Sequence, residues 1–167
     1  AWNFDRSKSD VIELFRAEPQ RLSVAIHGNN HTHREFGSYQ DNPLHEQAAD
    51  IRQAVARMER FRSITGLNYD RFMVFPHAVA PEQTFAELKK YGFSGTANSL
   101  SVPLGSEFPA DPLFLFRSYT LNYAGFLSMF RYSAETPVSP LHIALHSFLG
   151  NPLLFYGHES MFDRGID

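Results

Sequence analysis

Short apolar runs that alternate with amphipathic helical patterns constrain this chain more than any other feature. Residues 22–26, 71–75 and 93–97 are short, apolar and bounded by turn formers, the pattern of buried strands. Between them, Leu44, Ala48, Ile51, Val55, Met58 and Phe61 step by three and four, while Glu46, Asp50, Arg52, Arg57, Glu59 and Arg60 fall mostly elsewhere. That is a helix with one apolar stripe. Asn42 and Pro43 are its start signals and Gly66 its stop, and Pro81 and Gly92 bracket a second helix in the same way. An earlier helix enters at residues 7–10, presents Val11, Ile12, Leu14 and Phe15 on one side, and ends by Pro19. Strand and helix in alternation predict a parallel sheet, whose ligands lie beyond the carboxyl ends of the strands whether the sheet is open or closed into a barrel.

The second half reads less regularly. Residues 99–112 hold three prolines and no period, which predicts a long surface loop, and residues 113–116 a strand. Residues 118–140 carry Tyr119, Tyr123, Phe126, Phe130 and Tyr132 without a clear period, so a packed but irregular layer is expected. Residues 141–145 and 152–156 read as buried strands. His27, His77, Asn98, His146 and His158 each fall at or just past the end of an apolar run, where the ligand side of such a sheet lies.

Composition removes several classes of function. A net charge of −3 and a pI near 6.2, with no Lys/Arg cluster, offer no face for nucleic acid. Cysteine is absent, so any metal must be held by His, Asp or Glu. No apolar run reaches the roughly 20 residues of a membrane helix, and no signal-peptide pattern is present in these 167 residues. One soluble domain with no membrane partner is expected.

The chemistry concentrates in residues 22–36. His27 ends the first strand, Gly28 permits a sharp backbone turn, and Asn29 and Asn30 are turn formers that lead to His31. His33 and Glu35 follow. His27 with His31 is a candidate metal pair, to be weighed against a hydrogen-bonded strand-end histidine with an exposed neighbour. His33 and Glu35 are possible further ligands, or simply solvated or structural groups.

These residues resemble the polysaccharide deacetylases of the NodB-homology fold, carbohydrate esterase family four. In that family a strand ends in two metal-binding histidines spaced as His27 and His31 are here, with a hydroxyl residue where this chain has Gly28. The long helix ending in Thr65-Gly66, the strand end Phe75-Pro76, the helix running into Gly92-Phe93 and the closing segment 154–158 also look like the family. Departures are specific. Val74 stands in place of the family's arginine, His77 in place of the residue whose amide helps hold the oxyanion, and Tyr156 in place of a leucine. The family's paired aspartates, a general base and a third metal ligand, have no counterpart, nor does its Asp-x-x-x-Trp motif. Trp2-Asn3 looks like the end of the family's second strand, so a fragment of a longer catalytic domain is expected.

The resemblance implies a distorted (β/α) barrel and metal-dependent removal of an acyl group, such as N-acetyl, from a carbohydrate or related amide. It assigns the metal to His27 and His31 and catalysis to His158 as general acid and to His77; Pro76 beside that motif and Asn98 at its strand end are the candidates for substrate binding. Zinc is the default for histidine ligation, and cobalt, nickel and manganese also suit an N/O set. Two alternatives stay open: an amidohydrolase-type enzyme using His31 and His33, and a catalytically inactive carbohydrate-binding or structural domain of the same fold.

Overall fold

A computed structural model describes residues 6–32, 35–37, 42–76, 80–98, 104–107, 110, 121–123, 126–158 and 161. Helix α1 (Arg6–Ala17) precedes strand β1 (Ala25–Ile26). Then come α2 (Leu44–Thr65), β2 (Asp70–Val74), α3 (Glu82–Lys90) and β3 (Gly95–Asn98). The chain closes with β4 (Leu121–Tyr123), β5 (Phe126–Ser133), α4 (Pro140–Phe148) and β6 (Leu154–Tyr156).

Five strands run parallel in the spatial order β1, β2, β3, β5, β6, and β4 lies antiparallel beside the first half of β5. Parallel neighbours that follow chain order, with α2, α3 and α4 in the crossovers, make a curled sheet compatible with part of a barrel. A doubly wound sheet would instead reverse its strand order at a switch point.

The turn signals act where the sequence places them. Gly66 ends α2 at φ 72°, in the left-handed region, and donates its N–H to the Arg62 carbonyl at 2.8 Å. Gly92 follows α3 at φ 75°. Pro43 and Pro81 occupy the cap positions themselves, one residue ahead of the expected first helical turn.

Two readings are corrected. Residues 141–145 are helical, within α4: Ser139 and Pro140 are start signals, and Gly150 at φ 67° follows the helix end. A short apolar run is periodic enough for either element, and here the punctuation decides. Residues 118–140, expected to be irregular, contain β4 and the eight-residue β5. Strand β5 pairs on both sides, which makes it internal to the sheet, and apolar groups on both faces hide its alternation. The run 113–116 lies outside the described residues.

The core lies between the sheet and helices α2 and α3. Ile51, Ala54, Met73, Phe75, Phe85 and Leu88 are essentially excluded from solvent, each burial worth about 1.5–3 kcal/mol for the larger side chains. An aromatic chain crosses it, with Phe36–Phe75, Phe75–Phe85 and Phe85–Phe126 centroids 5.4, 5.6 and 5.8 Å apart. Gln47, fully buried, ties the layers together. Its amide donates to the Gly37 and Asn42 carbonyls at 3.0 and 2.7 Å, and its Oε1 accepts from the Thr84 hydroxyl at 2.6 Å. Among the described residues, no helix is long and apolar enough to cross a membrane.

Candidate functional site

The carboxyl ends of β1 and β2 meet at the histidine loop. His27, one residue past β1, places Nδ1 2.7 Å from the Val74 carbonyl oxygen at the end of β2. A carbonyl only accepts, so Nδ1 carries a proton, and in the neutral ring Nε2 then carries the lone pair. His31 stands beside it, ring centroids 4.7 Å apart and planes at 70°. Both residues are exposed.

The backbone between them is unusual. Gly28 has φ 69°, and His31 has φ 55°, the sole positive φ of a non-glycine residue among those described. Such a conformation costs about 1–3 kcal/mol, so neighbouring contacts must hold it. They are numerous. The buried Glu35 carboxylate accepts from the Asn29 amide and, at 3.2–3.3 Å, from the Asn30 amide. The Asn29 side chain donates to Asp50 at 2.9 Å and to Gln53 at 2.6 Å on α2. Arg57 donates to the Asn29 carbonyl at 2.5 Å and to Asn30 Oδ1 at 3.0 Å. The loop is thus tied to α2 by three side chains and to its own exit by a fourth, which holds the backbone between the two histidines.

Glu35 therefore serves as the anchor of the loop, its oxygens engaged by backbone amides. Pro76 is buried under Gly28, so close that a β-carbon there would meet Pro76 Cγ at 2.5 Å. Asn98, the last residue of β3, is fully buried. Its amide donates to the Thr96 and Ser128 hydroxyls, and its Oδ1 is buried without a partner. It stands at the carboxyl end of β3, the end of the sheet where His27 meets Val74. His33 and His77 lie outside the described residues.

A second polar group forms past β5 and β6. His158 Nδ1 lies 3.5 Å from Glu135 Oε1, and both side chains are more than half exposed. Beneath them Arg131 donates to the Phe75 carbonyl at 3.0 Å and stacks over the Tyr156 ring at 4.5 Å. Burial lowers the Arg131 pKa, and the Tyr156 hydroxyl partly offsets this. Arg131, Tyr156 and Thr136 line a cleft of about 380 Å³ at this end of the sheet. Sequence reasoning missed Arg131 and Glu135; an arginine between two aromatics, Phe130 and Tyr132, was the available signal.

His27 has a carbonyl on Nδ1, the usual second partner of an imidazole that ligates through Nε2. His31 faces it closely. Among the described residues no group of three His, Cys, Asp or Glu comes together, so the fit is to a two-imidazole set. Comparison with protein-family models, with curated proteins and with solved structures returns no match for this chain.

Proposed function

We propose that this chain is a polysaccharide deacetylase-like hydrolase of the NodB-homology type. In this reading it removes an acyl group, N-acetyl foremost, from a carbohydrate or related amide. The observation that carries it is the pairing of His27 and His31 at the carboxyl end of the parallel sheet, with the His27 proton committed to the Val74 carbonyl. Zinc is the first choice, and cobalt, nickel or manganese would suit the same donors. Such an ion would supply a Lewis acid for the acyl carbonyl and the attacking water.

The chain's own residues take the remaining roles. Glu35, Asp50, Gln53 and Arg57 hold the loop so that the two imidazoles need no rearrangement. His158, oriented through Nδ1 toward Glu135, keeps Nε2 to hand a proton to the leaving amine. His77 would share the oxyanion charge through its amide. The reading also requires a carboxylate base and a third ligand, which the resemblance assigns to an aspartate pair that residues 1–167 do not contain.

The test is metal content of tag-free protein loaded with zinc and desalted, compared with His27→Ala and His31→Asn. Asparagine is chosen because it tolerates the left-handed backbone at position 31. Each variant is expected to lower the zinc retained by one equivalent per chain. Zinc retention unchanged by both substitutions, or no retention by the parent, overturns the reading.

A further inference from the structure

We infer that His142 and His146 form a second transition-metal site on α4, away from the histidine loop, suited to a divalent ion with right-angled ligand geometry such as nickel or copper.

The two residues are four apart on one helix, so their side chains lie on the same face. Their rings stack with centroids 4.5 Å apart and planes at 18°, and the two Nε2 atoms stand 2.7 Å apart. His142 Nε2 also lies 2.7 Å from the Tyr132 hydroxyl on β5. A ring nitrogen offers one proton or one lone pair, so His142 Nε2 satisfies one of these two neighbours at a time. Three polar atoms thus crowd a point where the proton-linked arrangement leaves one of them short.

A cation resolves that crowding. Ligating nitrogens sit about 2.0–2.1 Å from such metals, so two of them are about 2.9 Å apart at a right angle and about 3.3 Å apart at a tetrahedral angle. The observed 2.7 Å is nearer the first. Right-angled positions are those of copper and nickel, which also bind imidazole more tightly than earlier divalent metals of the same row. The second nitrogen of His146 has a partner suited to this role: Asn151 Nδ2 is 3.2 Å from Nδ1. Turning that amide end for end presents its carbonyl to an Nδ1 proton and moves the lone pair to Nε2. His146 is 2% exposed and His142 half-buried, so an ion would enter from the His142 side.

The experiment is a nickel titration by calorimetry on tag-free His27→Ala/His31→Asn protein, which removes the strand-end pair. One equivalent of nickel is expected to bind. Adding His142→Ala is expected to weaken that binding at least tenfold with the circular dichroism unchanged, whereas Tyr132→Phe retains it within about threefold. No nickel binding by the doubly substituted protein, or equal binding after His142→Ala, overturns the site. A readout that needs no change on α4 is the electron paramagnetic resonance of one bound equivalent of Cu²⁺. Hyperfine splitting from two imidazole nitrogens is expected, and splitting from one or none overturns the proposal.

Discussion

Gly28 and Pro76 are packed so closely that a β-carbon on Gly28 would lie 2.5 Å from Pro76 Cγ and 3.2 Å from Glu35 Oε1. This contact, together with φ 69°, accounts for a glycine between the two histidines. Gly28→Ser is expected to destabilise the protein by about 1–3 kcal/mol through backbone strain and overpacking. Urea denaturation checks it; a midpoint unchanged from the parent would show that the loop has room that the structure denies.

Glu35 is the buried acceptor for the amides of Asn29 and Asn30. Glu35→Gln replaces a charge-assisted acceptor by a group that also carries donors, at a cost of about 1–3 kcal/mol. If the proposed zinc site at His27 and His31 exists, its affinity is expected to fall roughly tenfold or more, because the loop carries His31. Parallel urea melts and zinc titrations separate the two effects, and a stability loss with unchanged affinity would confine Glu35 to folding.

Thr84 donates its hydroxyl proton to Gln47 in a fully buried pair that joins α3 to α2. Thr84→Val keeps the shape but takes away the donor that faces Gln47 Oε1. A loss of about 1–3 kcal/mol is expected. The denaturant midpoint should fall with the slope unchanged, and no fall would mean that the amide finds another donor.

Glu59 sits among Tyr69, Arg62 and Arg71. The Tyr69 hydrogen bond lowers its pKa below 4.5 against an opposing effect of burial, with Arg62 and Arg71 assisting. A carboxylate with a lowered folded pKa stabilises fully above its unfolded value, and that contribution is lost as pH falls below about 4.5 through the folded value. Melting temperatures of the parent and of Glu59→Gln should therefore converge as pH is lowered through this window. A constant gap from pH 6 to pH 3 would contradict the assignment.

Much of the first half was legible in the sequence because its signals are local. The α2 stripe, the stop at Gly66, the prolines ahead of α2 and α3, and the strand at 71–75 each depend on residues within a few positions of one another. The spacing of His27 and His31 is likewise a local pattern. The second half was misread where local signals compete: α4 has the apolar run of a strand, and β5 has apolar groups on both faces.

Sequence alone determined the alternation of strand and helix, the polar character of the strand ends and the exclusion of cysteine chemistry. Tertiary structure decided which groups meet. Val74 sets the His27 proton from 47 positions away, Asp50, Gln53 and Arg57 hold the loop from α2, and Arg131 reaches the Phe75 carbonyl across the sheet. The reason is physical: periodicity reports which face of one element is apolar, while hydrogen-bond partners depend on the register and packing of separate elements.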